Sequence, residues 1–134
     1  MPERDPAELA ASLARKAQAD ATATRKFAAD LEIADDIIGF HAQQAVEKWL
    51  KAVMAIRQIR QTRIHDINRL GESLEEDGVG LPLPRGRLGE LTIFAVPLRY
   101  EDLLDAEPVD REATVRLVDE VGEWAKAQLA HPGD

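Results

Sequence analysis

The chain contains no cysteine. That excludes disulfides, thiolate metal sites and cysteine nucleophiles, and it fits a reducing compartment. Aromatic residues are scarce, 4% against 45% hydrophobic residues overall, so the core must be built from Leu, Ile, Val and Ala. Alanine-rich faces let helices approach closely, which suits an all-helical bundle. Positive charge is also short: 17 Lys and Arg face 25 Asp and Glu, a net charge of −8. General nucleic-acid binders carry the opposite sign, so non-specific DNA binding is not expected. No apolar run approaches the roughly 18 residues that a membrane span requires, and no membrane partner is expected. The opening MPERDPAEL has no basic stretch followed by an apolar one, so no secretory leader is expected. The expectation is a soluble cytoplasmic protein, and 134 residues make one domain, 1–134, with its core at about 6–130.

What is present is helical periodicity. Asp5 is an N-cap candidate with Pro6 at the first helical position, and the spacing predicts a helix over 6–30, with Leu9, Leu13, Ala17, Ala28 and Leu31 on its apolar face. A second helix spans 34–58, where Ile38, Ala42, Ala45, Trp49, Val53 and Ile56 share a face that Val46 and Leu50 widen. An apolar arc near 200° at about 100° per residue touches more than one neighbour, so this helix is expected at the centre. A third helix is predicted over 64–76, with Thr62 as cap, Asp66 in its first turn, and Ile67, Leu70 and Leu74 inward. The Gly- and Pro-rich segment 77–86 is a loop. A fourth helix covers 87–100, with Leu88, Leu91, Ala95 and Leu98 inward and a kink at Pro97. After a loop over 101–109, a fifth helix covers 110–130, with Val115, Val118, Gly122, Ala125 and Leu129 at helical spacing and Leu117, Val121 and Trp124 beside them. No stretch alternates with a period of two. The fold class is all-α: a five-helix, mostly up-and-down bundle.

The second helix carries an unusual polar line. In DIIGFHAQQAVEKWLKA, His41, Gln44 and Lys48 fall at i, i+3 and i+7, within a sector of roughly 60° that borders the apolar arc, and Lys51 lies just beside them. Two readings stand: a solvated edge, or a surface that binds something. His65-Asp66 has the composition of a general-base pair, but adjacent residues do not face each other on a helix, so capping is the simpler role for Asp66. His131 lies in the C-terminal tail. The three histidines have no metal-ligand spacing, and neither a metal nor a cofactor is expected.

Arg99, in FAVPLRYEDLL, shares a helical sector with Leu88, Thr92 and Ala95. An inward guanidinium must be paired or face a cleft. It pairs with a helix carboxylate such as Asp20 or Glu47, or it recognises a phosphate or carboxylate, with Tyr100, the single tyrosine, beside it.

The segment GFHAQQAVEKWLKA, followed by IHDINRL and then by TIFAVPLRYEDLL, resembles the HEPN family of small helical domains. RKAQADATATRKFA and the closing EATVRLVDEVGEWAKAQL also fit, and the resemblance covers about 10–130. It implies a five-helix HEPN-like fold, a homodimer, and frequent pairing with a minimal nucleotidyltransferase encoded nearby, often in toxin–antitoxin systems. Some members are metal-independent ribonucleases whose signature is an arginine followed within a few residues by a histidine. Here no histidine follows Arg99 until His131, and an imidazole would have to come from His41, His65 or a second protomer. The resemblance therefore implies a non-catalytic module that dimerises and binds a nucleotidyltransferase, a nucleotide or an RNA phosphate, with Arg99, Tyr100, His41, Gln44 and Lys48 as ligand-binding residues. The alternative is a ribonuclease toxin with an atypical site, with Arg99, His41 and His65 as catalytic candidates.

Overall fold

The Asp5 side chain caps the first helix, accepting the Ala7 amide at 2.8 Å, and Pro6 takes the first helical position. In the computed structural model, which describes residues 5–60, 66–91 and 109–132, this helix, α1, runs Pro6–Ala28. It is followed by α2 (Asp35–Ile56), α3 (Ile67–Glu76), a short α4 (Arg85–Gly89) and α5 (Arg111–Ala130). No strand occurs among the described residues, and the architecture is the all-α bundle that the periodicity predicts. No described helix is long and apolar enough to cross a membrane.

α2 is the central element, packed against α1, α3 and α5. Ile38, Ala42, Ala45, Val46, Trp49, Leu50 and Val53 are all buried, which accounts for the breadth of its apolar arc. α3 contributes Ile67, Leu70 and Leu74, and α5 contributes Leu117, Val118, Val121 and Ala125. Each large side chain so buried is worth about 1.5–3 kcal/mol of transfer free energy before conformational entropy is charged against it. α1 packs on α2, and its buried apolar residues are all small: Ala10, Ala17 and Ala21. At the α2–α5 crossing the small residue is Gly122: a Cβ there would come within 3.2 Å of the Trp49 indole nitrogen.

The ends of the helices differ from the sequence reading in four places. α1 stops at Ala28, and Leu31, expected on its apolar face, is 91% exposed at the tip of the α1–α2 turn. There the Asp30 carboxylate accepts the Glu32 amide at 2.9 Å and turns the chain out of helix. α2 ends at Ile56 because Gln58 adopts a left-handed conformation, φ 58°, while the Ile59 amide closes back on the Met54 carbonyl at 2.9 Å. α3 ends in the same way with a glycine, Gly78, at φ 86°. Asp66 is the cap of α3, not part of its first turn: its side chain accepts the Asn68 amide at 2.9 Å, a bond available only from outside the helix. The fourth helix begins at Arg85, two residues earlier than predicted, and is helical to Gly89. Leu91 is buried, as predicted; residues 92–100 of that predicted helix, with Pro97, lie outside the described residues, as does Thr62. Asp110 caps α5 by accepting the Ala113 amide at 3.0 Å.

Candidate functional site on helix α2

The polar line of α2 meets α1 at one residue. His41 Nδ1 lies 3.0 Å from Asp20 Oδ1, and Lys48 Nζ donates to Asp20 Oδ2 at 2.5 Å. The i, i+7 spacing puts both donors on the same side of α2 two turns apart, and a single carboxylate on the facing helix collects them. The three side chains are partly buried, 14% exposed for Asp20, 24% for Lys48 and 29% for His41, so water screens the pairs less than at an open surface. The His41 ring is held on two sides. Phe27 of α1 approaches it edge-on at 5.4 Å, and Phe40 at 5.5 Å.

Gln44 is drawn into a second chain of contacts that runs inward. Its amide donates to Gln43 Oε1 at 2.7 Å, Gln43 donates to Glu47 Oε1 at 3.1 Å, and Lys51 Nζ lies 3.4 Å from Glu47 Oε2. Gln43 is wholly buried and Glu47 4% exposed. Buried polar groups of this kind are tolerable only when bonded, and here the i, i+4 spacings of one helix bring the bonds together. The double glutamine therefore has two faces, Gln44 at the edge and Gln43 in the core.

His41, Gln44 and Lys48 thus form one continuous edge, as the spacing predicts, with Lys51 beside it. Arg99, Tyr100 and His65 lie outside the described residues. Asp20 and Glu47, the carboxylates considered as partners for Arg99, both bond to side chains of α2. Sequence reasoning named Asp20 only as a possible partner for Arg99. The signal was legible only in retrospect, as an acid on α1 facing two basic positions seven apart on α2. Beyond the polar edge toward the start of α2, Ile37 and Phe40 expose 42% and 37% of their surface. Among the described residues no group of three or more His, Asp or Glu side chains is placed to hold a metal ion.

A second polar junction was not anticipated at all. Arg111, the first residue of α5, reaches the α1–α2 turn. Nη1 donates to the carbonyls of Phe27, Ala28 and Asp30 at 3.0–3.4 Å, Nη2 to the Ile33 carbonyl at 2.7 Å, and Nε to Asp35 Oδ1 at 3.0 Å. Asp35 Oδ2 also accepts the Val109 amide at 3.2 Å. The carbonyls of Phe27 and Asp30 also accept the amides of Asp30 and Ile33 within the turn, so the guanidinium adds to the turn's own bonds where α1 ends, and Asp35 stands at the N-terminus of α2, where the helix dipole favours a carboxylate.

Comparison with known proteins bears on this arrangement. A family model described as the HEPN domain matches residues 10–128. No curated protein and no solved structure matches the chain.

Proposed function

Because the chain belongs to the HEPN family, we propose that it acts as a non-catalytic helical module that pairs with a second copy of itself. In this reading the pair engages a nucleotidyltransferase partner, or a nucleotide or RNA phosphate through Arg99 and Tyr100, within a cytoplasmic toxin–antitoxin type system. The supporting observation is how the outer edge of α2 is divided. Its cation Lys48 and its imidazole are bonded inside the chain to Asp20, whereas its apolar residues Ile37 and Phe40 face solvent. An edge whose cation is bonded internally and whose hydrophobic groups are open gains free energy chiefly by covering apolar area. A two-fold contact covers the same patch on both copies. Light scattering of the wild-type chain at micromolar concentration is expected to give twice the monomer mass. Replacing Ile37 and Phe40 together by Asp is expected to give a monomer with an unchanged helical spectrum. A monomeric wild-type chain would overturn the reading.

A second reading, a metal-independent ribonuclease, is favoured by a different observation. The His41 imidazole is tied to a carboxylate through Nδ1, and its Nε2 makes no hydrogen bond to a described residue. That is how an imidazole is arranged when it exchanges protons with a substrate.

A further inference from the structure

An ionised carboxylate can only accept hydrogen bonds, so the His41 nitrogen that faces Asp20 Oδ1 at 3.0 Å must carry the proton. We infer that Asp20 is a positioning residue: it holds His41 with its proton on Nδ1, leaving Nε2 as the nitrogen that takes a proton from a substrate hydroxyl. The inference rests on the ribonuclease reading and adds the residue that orients its base.

Three features fix the arrangement. Asp20 is itself anchored, because its other oxygen receives Lys48, an ammonium that can only donate. The carboxylate cannot turn away from His41 without giving up that bond. The imidazole is then limited in rotation by the edges of Phe27 and Phe40, inclined at 69° and 77° to its plane. Finally, the ring is not sealed in the core. Its side chain is 29% exposed and Nε2 has no bonding partner among the described residues.

The chemistry that this geometry supports is the removal of a proton from a ribose 2′-hydroxyl. Nε2 takes the proton as the 2′ oxygen bonds to the adjacent phosphorus. The bond from phosphorus to the 5′ oxygen breaks, and the departing oxygen takes a proton from water. The imidazolium returns its proton to the hydroxide so formed. The step leaves a 2′,3′-cyclic phosphate and a 5′-hydroxyl, with the histidine unchanged.

Asp20→Asn tests the inference sharply because of Lys48. The asparagine carbonyl oxygen is the only atom of the new side chain that can accept from the ammonium, so its NH2 group turns to His41. Nδ1 must then accept, and the proton moves to Nε2, which is the wrong tautomer for a base. Long-range 1H–15N NMR of the full chain reads the tautomer directly, with Asp20→Glu as the conservative variant that retains a carboxylate. Wild type is expected to carry the proton on Nδ1, Asp20→Asn on Nε2, and Asp20→Glu on Nδ1. With a single-stranded RNA oligonucleotide as probe, kcat is expected to fall about 10²–10⁴-fold in Asp20→Asn, the range for a lost general base. KM and the circular dichroism spectrum should hold, Asp20→Glu should recover part of the rate, and the 2′-deoxy oligonucleotide should be inert. A wild-type His41 protonated on Nε2 would overturn the inference, and so would Asp20→Asn cleaving RNA at the wild-type kcat. A wild-type chain that leaves RNA intact overturns the ribonuclease reading and the proton transfer with it.

Discussion

At the turn between α1 and α2, one cation sits among acceptors. Two turns further along the same pair of helices, one anion sits among donors. The Arg111 guanidinium gathers four main-chain carbonyls and the Asp35 carboxylate, and all three of its nitrogens are engaged. The Asp20 carboxylate gathers His41 and Lys48, and one nitrogen of the imidazole stays unengaged among the described residues. The bonds of the first junction close the fold. The second holds the same two helices together and still presents a polar atom. Similar materials at similar burial therefore do different work, and the difference lies in whether every polar atom is used.

The comparison predicts unequal losses of stability. The largest should follow Arg111→Ala. It takes the side-chain donor from four carbonyls of the α1–α2 turn and leaves Asp35 without its guanidinium, 21% and 34% exposed as a pair in the native fold. The expected loss is about 3 kcal/mol, from several bonds to a charged group and partial burial of the carboxylate left behind. Arg111→Lys should recover less than half of this, because one ammonium cannot span carbonyls on both sides of the turn while bonding Asp35. Urea titration of the three chains gives the numbers. A loss below about 1 kcal/mol for Arg111→Ala would mean that water replaces the guanidinium freely and that the junction is not closed.

These two junctions also mark how far the sequence could be read. The helices were legible because burial repeats every 3.6 residues. Ile38, Ala42, Val46, Trp49 and Val53 declare one face of α2 without reference to any other element, and Asp5 with Pro6 declares a start. The edge of His41, Gln44 and Lys48 was legible for the same reason, as geometry within one helix. Arg111 was not, because its partners lie some 76 to 84 positions earlier in the chain and no local rule links them. Asp20 was hidden in the same way, 21 residues from His41 and 28 from Lys48. Leu31 failed for a related reason. Periodicity extended the first helix past Ala28, whereas the turn chemistry of Asp30 and the carbonyls taken by Arg111 end it there. Residues that touch within one helix leave a periodic trace, and residues that touch between elements do not.

Losses at the anion-centred junction should be smaller. Asp20→Ala leaves Lys48 and His41 without their shared acceptor, but both are partly exposed and can turn to water. The expected loss is about 1–2 kcal/mol, smaller than for Arg111→Ala because fewer bonds are lost and no main-chain carbonyl loses a donor. Lys48→Met should cost less again, under about 1 kcal/mol, since the long stem still packs and Asp20 keeps His41. Raising the salt concentration should shrink the Asp20→Ala difference more than the Arg111→Ala difference. Surface-proximal ion pairs are screened, whereas bonds to carbonyls hardly are. Equal salt dependence at the two junctions would erase the distinction between them.

The smallest effect is expected from His41→Gln. If the imidazole were a structural tie, its removal would cost one bond to a carboxylate together with two edge-on contacts to Phe27 and Phe40, on the order of 2–3 kcal/mol. If it is held ready for a substrate, Asp20 keeps Lys48 as its principal partner, and the glutamine amide can still donate to the carboxylate oxygen that the imidazole vacates. The expected loss is then under about 1 kcal/mol, read as a small shift in the urea midpoint with an unchanged slope. Residues kept for chemistry commonly contribute little to stability, or even oppose it. A loss of about 2 kcal/mol or more, the size of a fully used charged hydrogen bond plus packing, would place His41 beside Arg111 as part of the framework. It would also remove the contrast on which the second junction's role depends.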